Sequence, residues 1–183
     1  MDVKTFWKLI DTTREASGGD NSKHADLLVN ALVLLSLEEL FAFEAIWDDL
    51  MDSAYNAALW DAAYIIGCGC GDDGFWDFRA WLIAQGKELY EKALVDPENL
   101  VDLIDANKNA QEGALIYVVM IAYEQKMGKE IPIRESKVNR PVAQLKGTLW
   151  KKDTPEDEEN IRLRFPKLAA KFGDCEKRWV KWL

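Results

Sequence analysis

Histidine, cysteine and basic residues are scarce in this chain of 183 residues. It contains one histidine, three cysteines, and 23 basic against 32 acidic residues, so its formal net charge is −9. Nucleic acids and anionic membranes attract basic surfaces, and we therefore expect neither as a partner. A single histidine excludes a histidine-rich zinc site and a di-iron helix bundle. An odd number of cysteines does not make a disulfide framework.

Long apolar stretches and targeting signals are also missing. The longest apolar run, residues 114–123, has ten residues, whereas a membrane-spanning helix needs about 20. The first twenty residues hold four acids and no apolar core of a secretory signal. We therefore predict a cytoplasmic protein whose three thiols are free in a reducing compartment.

Motifs of common catalytic sites are absent as well. The sequence has no G-x-S-x-G elbow, no phosphate-binding P-loop and no dinucleotide fingerprint. His24 falls in the first turn of a predicted helix, where we expect it at the surface. Cys68 and Cys70, with Cys175 far along the chain, are a weak set of zinc ligands, and a bridge between the first two would be strained. We predict buried thiols, no metal and no cofactor, with metal binding and redox chemistry as the alternatives.

The composition that remains is that of a helical, folded protein. Hydrophobic residues make up 49 % and charged residues 30 %, and this length suffices for one domain without a disulfide or a metal. Apolar spacings of three and four predict an all-α single domain, residues 1–183, of about seven or eight helices. We place helices near 2–16, 22–35, 37–54, 57–66, 72–95, 97 onward, 111–127 and 155–172, with a short one at Trp179 and Trp182.

Three local features refine this prediction. Ser36 and Glu39 form a capping box before the third helix. Residues 116–121 are rich in β-branched side chains, which leaves a buried strand as the alternative to helix there. Residues 129–154 look irregular, with two prolines and a glycine, and we expect residues 155–183 to form a helical tail packed on the core.

Several blocks of sequence resemble a known family. They are Trp-Asp-Ala-Ala-Tyr-Ile-Ile at 60–66, Asp-Asp-Gly-Phe at 72–75, and Phe-Arg-Ala-Trp-Leu-Ile at 78–83 with its continuation to 87. The segments 6–10 and 164–168 share the likeness. Together they resemble the bacterial "domain of unknown function" family numbered 4240. The family tends towards Asn-Gly-Gly-Cys-Ser in the glycine loop at 67–71, where Cys70 matches and Cys68 departs. The resemblance implies a small, mainly helical, intracellular bacterial protein and no particular activity.

Charge is divided unevenly along the chain. Residues 1–95 carry 17 acids and 7 bases, while residues 129–152 carry seven bases and two acids. On the third predicted helix, Glu44, Asp48 and Asp52 lie on one stripe, with Glu38 and Asp49 beside it. Like charges four residues apart cost a few tenths of a kcal/mol per pair. We interpret the stripe as a solvated face or, alternatively, as an electronegative patch for a cationic partner.

A second acidic feature follows the glycine loop. Asp72 and Asp73 come where the exposed N–H groups of the next helix point, so we expect at least one of them to cap that helix. The other carboxylate is free to bind Arg79 or a ligand amine, and paired carboxylates can perform acid–base chemistry. The candidate ligand site here comprises Tyr64, Asp72, Asp73, Phe75, Trp76 and Arg79.

Two functional hypotheses follow. The first is a non-catalytic acidic binding protein, most concretely an immunity-type inhibitor of a basic bacterial toxin. Its predicted partner-binding residues are Glu44, Asp48, Asp52, Asp72 and Asp73. The alternative is an enzyme or small-ligand module that uses the candidate ligand site around Arg79.

Overall fold

The structure, a computed structural model, describes residues 1–102, 113–150 and 154–175. All regular secondary structure in these ranges is helical, which confirms the all-α prediction. Within these ranges, Asn56 and Lys146 form an isolated parallel β-bridge. The α-helices are α1 Val3–Ser17, α2 Asn21–Val33, α3 Leu37–Ser53, α4 Ala57–Gly67, α5 Asp72–Ala84, α6 Lys87–Val95, α7 Val118–Met127, α8 Glu135–Val138, α9 Pro155–Arg164 and α10 Pro166–Phe172, and 3₁₀ helices span Pro97–Asp102 and Gly113–Tyr117.

Short polar side chains cap the start of five of these α-helices, α1 to α4 and α9. Asp2, Asp20 and Asn56 each accept a hydrogen bond from a backbone N–H of the first turn. The capping box predicted for α3 is confirmed, since Glu39 N lies 3.2 Å from Ser36 Oγ and Ser36 N lies 3.0 Å from Glu39 Oε2. Each such cap satisfies backbone donors that the helix itself leaves unpaired.

The prediction of one continuous helix over residues 72–95 is wrong, because two helices occupy this range. α5 ends at Ala84 and α6 begins at Lys87. Gly86 between them has a φ of +94°, a backbone angle that residues with a side chain rarely adopt. A Cβ at this position would also require the carboxylate of Asp11 to move aside. The break lets α6 turn so that Tyr90 packs on Trp7 of α1, with ring centroids 5.6 Å apart.

Residues 116–121 are helical rather than extended. They span the end of a 3₁₀ helix and the first residues of α7. Val118 and Ala122 are buried, and α7 packs against α2. Burial of one face of the helix therefore outweighs the preference of β-branched residues for strands.

Aromatic side chains fill the core between the helices. Phe6 of α1 contacts Phe43 of α3, with centroids 4.6 Å apart, and Trp60 of α4 stacks on Phe75 of α5 at 4.7 Å. Burying a large apolar side chain contributes about 1.5–3 kcal/mol each. The bulkiest fully buried residues are Phe6, Phe43, Phe75, Phe78, Phe172, Ile10, Leu28, Leu32, Leu40, Leu59, Ile66 and Leu82.

The last described helices pack on α4. Thr154 caps α9, and Pro166 begins α10, so the helix predicted over residues 155–172 is divided into two. Phe165, Leu168 and Phe172 are buried in the common core. Arg164 Nη1 lies 3.2 Å from Oδ2 of Asp61, a fully buried carboxylate of α4. Trp179 and Trp182 lie outside the described residues.

The cysteines do not remain as three free thiols. Cys68 and Cys175 form a disulfide with Cα atoms 5.6 Å apart, whereas Cys70 keeps its thiol. The prediction of three free thiols is therefore wrong. The two bonded residues are 107 positions apart, and spacing in a sequence does not reveal such a pairing. The bond joins the end of α4 to the segment that follows α10.

Within the described ranges, no helix combines the length and apolar character that crossing a bilayer requires.

Candidate functional site

The acidic stripe consists of Glu44, Asp48, Asp49 and Asp52, which occupy two successive turns of α3. Their side chains do not all face solvent, because Glu44 is 13 % and Asp48 22 % exposed. The interpretation of a solvated face is therefore wrong for Glu44 and Asp48, whereas Asp49 is 73 % exposed. The cover is provided by residues 131–146, which we call the basic strap.

Two cations of the strap bind the first half of the stripe. Arg134 pairs with Glu44, and its guanidinium carbon sits 3.9 Å from the ring centre of Phe41. Lys137 Nζ lies 3.1 Å from Glu44 Oε1 and also pairs with Asp48. Burial lowers the pKa of Arg134. The stacked position over the ring offsets part of that desolvation through a cation–π interaction.

Arg140 binds the second half of the stripe. Its Nη2 lies 2.8 Å from Asp49 Oδ1, and its Nε lies 3.0 Å from Asp52 Oδ2. Burial lowers the pKa of Arg140, but hydrogen bonds to Asp52 and Asp49 outweigh burial and raise it above its ordinary value. The guanidinium thus joins two carboxylates that would otherwise repel each other.

The strap follows the stripe in register. Its cations are spaced three residues apart, whereas the carboxylates follow the turns of α3, about 5.4 Å each. At its far end, Lys146 N donates to the Tyr55 carbonyl at 3.1 Å, and Ala57 N donates to the Lys146 carbonyl at 2.9 Å. Charges therefore hold the middle of the strap, while backbone hydrogen bonds hold its end.

A pocket of about 540 Å³ lies between α3, α5, α7 and the strap. Carboxylates of the acidic stripe and two strap cations form its polar rim. Its apolar lining includes Trp47, Met51, Ile116, Val119, Met120 and Ile131. Pockets of this size are within the range that binds small molecules or anchors side chains of a partner.

Arg79 contributes a cation to this pocket. Its Nη1 donates to the Met51 carbonyl at 2.9 Å and its Nε to the Phe75 carbonyl at 3.4 Å. The guanidinium carbon is 4.8 Å from the ring centre of Tyr55. Burial lowers the pKa of Arg79. Backbone carbonyls and aromatic rings thus hold the side chain in place.

The predicted ligand site around Arg79 is not assembled as one cluster. Trp76, which is 51 % exposed, lines the pocket together with Arg79. Phe75 is fully buried in the core, and Tyr64 donates instead to Glu158 Oε1 of α9 at 2.9 Å. Burial and this hydrogen bond raise the pKa of Tyr64.

Asp72 and Asp73 are exposed at the start of α5 and lie outside the pocket lining. The N-cap is Gly71, and it forms no side-chain capping bond. The predicted cap by Asp72 or Asp73 is therefore wrong. Both carboxylates occupy the first turn, where they interact favourably with the helix dipole.

His24 is 1 % exposed, so its predicted surface position is wrong. Its Nε2 lies 2.9 Å from Thr13 Oγ1, whose hydroxyl donates to the Leu9 carbonyl at 2.9 Å. Burial and the nearby charge of Arg14 lower the pKa of His24 to about 4.

The strap was the part of the site that the sequence prediction missed. The sequence contains both the run of bases at 129–152 and the acidic stripe, but no short-range pattern indicates that the two segments pair with each other. Complementary charge on two segments about 90 residues apart, as in Arg140 and Asp52, is the signal that indicates such a pairing. Among the described residues, no group of three or more histidine, cysteine and acidic side chains forms a candidate metal site.

Comparison with known proteins identifies the family. The sequence model of the family described as "Protein of unknown function (DUF4240)" matches residues 1–125, and the chain belongs to this family. No curated protein and no solved structure matches the chain. The matched residues contain the acidic stripe and Arg79. The strap, and the likeness at residues 164–168, lie outside them.

Proposed function

We propose that this protein is a non-catalytic binding protein for a cationic protein partner. The acidic stripe of α3, with the pocket beside it, forms the binding surface. The observation that supports the proposal is that the stripe already holds three regularly spaced cations, Arg134, Lys137 and Arg140, in its own fold. In its most concrete form the protein is an immunity-type inhibitor of a basic bacterial toxin.

Physical considerations support this choice of surface. Carboxylates grouped on one face of a helix create a negative potential that attracts a cationic partner and speeds its association. The pocket offers Trp47, Met51 and Met120 to apolar side chains of that partner. Tight interfaces combine such buried apolar anchors with a charged rim.

The remaining candidate residues fit this proposal in different ways. Asp72 and Asp73 are exposed and extend the negative surface at the start of α5. His24 is buried against Thr13, so its imidazole is not accessible to a substrate as a general base. This placement favours binding over histidine-dependent catalysis.

The test takes the proteins encoded by neighbouring genes as candidate partners and mixes any basic one among them with the full-length chain. The variant E44Q/D48N/D52N should associate about tenfold or more slowly at low salt, and the loss should disappear by about 0.5 M salt. The control E15Q/D26N/E159Q also neutralises three carboxylates, which are exposed and lie elsewhere, and should associate almost normally. A partner whose affinity depends neither on the stripe nor on salt would refute the proposal.

We include a cytoplasmic location in the proposal, and the disulfide provides its test. Reducing pools keep most cytosolic thiols unpaired. The structure shows the oxidised form of Cys68 and Cys175, and in a reducing cytosol this bond should be open, so trapping thiols with an alkylating reagent in intact cells should label both residues. Finding the two cysteines oxidised before lysis would place the protein in an oxidising compartment.

The pocket favours a second candidate, a small-ligand module. Arg79 and Trp76 are the members of the predicted ligand site that line the cavity. A ligand found by fluorescence screening should bind about tenfold or more weakly to R79M, because a charge-assisted hydrogen bond is lost. An unchanged affinity in R79M and in W76A would exclude this pocket as its site.

A further inference from the structure

We infer that the basic strap, residues 131–146, is an internal pseudo-ligand, and that a cationic partner binds the acidic stripe by displacing it. This inference rests on the proposed function and specifies how that site is regulated. Arg134, Lys137 and Arg140 bind the same carboxylates that a cationic partner would use. The stripe is therefore occupied whenever the strap is closed.

The middle of the strap is attached mainly by charge. Ile131 and Leu145, near its two ends, are partly buried against the core, whereas Ile133 is 88 %, Val138 68 % and Val142 83 % exposed and do not anchor it. α10 contrasts with it, because Leu168 and Phe172 are fully buried. The pairs that Arg140 forms with Asp49 and Asp52 are partly exposed, and pairs of this kind are individually weak and are screened by salt, whereas the Arg134–Glu44 pair is mostly buried. The middle of the strap can therefore leave the stripe, starting from Arg140, without the core unfolding.

The strap is also tethered at both ends. It follows α7, which ends at Met127, and its far end is held by the backbone hydrogen bonds of Lys146. A short tether gives the strap a high effective concentration at the stripe, of the order of millimolar for flexible linkers. A partner must therefore exceed the affinity of the strap and not merely find an open surface.

The register of the strap indicates the chemistry of the partner. Three cations at successive three-residue spacings satisfy the carboxylates from Glu44 to Asp52. A competing segment should carry basic residues at a similar spacing, with at least one apolar side chain between them to enter the pocket. The inference thus concerns a basic protein segment rather than a free metal ion or a polyamine.

The test measures binding of a fluorescently labelled synthetic peptide, residues 131–146, to three full-length proteins. These are the wild type, the strap variant R134Q/K137Q/R140Q, and the matched control K4Q/K8Q/K23Q, which removes three exposed cations from α1 and α2. At about 50 mM salt the strap variant should bind the peptide about tenfold or more tightly than the other two proteins. Adding E44Q/D48N/D52N to the strap variant should abolish that binding.

Two outcomes distinguish a failure of the pseudo-ligand from a failure of the proposed function. Equal affinity of the peptide for the wild type and the strap variant, lost on changing the stripe, would overturn the pseudo-ligand but retain the stripe as a receptor. No binding to the strap variant would refute the proposed function itself, and the inference with it.

Hydrogen exchange gives a readout that needs no partner. In E44Q/D48N/D52N, backbone amides of the strap should exchange about tenfold or more rapidly, whereas those of α1 to α5 should be unchanged. Faster exchange throughout the core would show that the strap is an integral part of the fold, and would overturn the inference.

Discussion

Burial of His24 should make the stability of this protein fall as the solution is acidified below neutral pH. The histidine is packed between α1 and α2, where its Nε2 meets Thr13 Oγ1 at 2.9 Å. Protonation would place a second charge near Arg14 in a region that is closed to water. Desolvation and that charge are the reasons why the pKa of His24 is lowered to about 4 from its ordinary 6.5.

The sign and size follow from proton linkage. Between pH 6.5 and about 4 the unfolded chain binds a proton at His24 that the folded chain does not, so acidification favours unfolding. Each unit of pKa difference corresponds to about 1.4 kcal/mol. The free energy of unfolding should therefore fall by about 2 kcal/mol between pH 7.5 and 5, and by about 3 kcal/mol below pH 4.

The experiment compares urea unfolding of the wild type and His24→Gln at a series of pH values. Glutamine does not titrate, and its amide can donate to Thr13. The variant should therefore lack about 2 kcal/mol of the loss seen between pH 7.5 and 5. Carboxylates contribute to both proteins alike, so the difference between the two curves isolates the histidine.

The control is Asp26→Asn, an exposed carboxylate on the same helix. It should keep the pH dependence of the wild type. Parallel curves for the wild type and His24→Gln would refute the reasoning, because they would mean that His24 titrates alike in the folded and unfolded chains.

Three further predictions test local features. When the chain is unfolded without reductant it should titrate one thiol, Cys70, and reductant should raise the count to three while lowering the free energy of unfolding by about 2–5 kcal/mol; three thiols before reduction would contradict the disulfide. Gly86→Ala should destabilise by more than about 1 kcal/mol in urea unfolding, since the positive φ and the contact with Asp11 both oppose a side chain; a neutral result would contradict the helix break. Asp73→Ala should cost only a few tenths of a kcal/mol because it removes a dipole interaction, whereas Ser36→Ala should cost about 1 kcal/mol because it removes a cap; similar losses in thermal unfolding would contradict that distinction.

Local interactions explain which features the sequence alone determined. Helix periodicity, the Ser36–Glu39 capping box and the start of α9 at Pro155 depend on residues within a few positions of one another. The family likeness at residues 60–66 and 72–87 is likewise a property of contiguous sequence, and the match over residues 1–125 confirms it. These features needed no knowledge of distant contacts.

Tertiary structure decided the rest, because each remaining feature joins residues far apart in the chain. Arg140 reaches Asp52, and Cys68 reaches Cys175, over roughly ninety and one hundred positions. The polar neighbours of His24 in the sequence indicate a surface position, but in the fold His24 is buried against Thr13 of α1. Periodicity identifies which face of a helix is charged or apolar. Whether that face meets water or another segment depends on the packing of the whole chain. Burying a charge costs free energy, and only a partner from elsewhere in the fold offsets that cost.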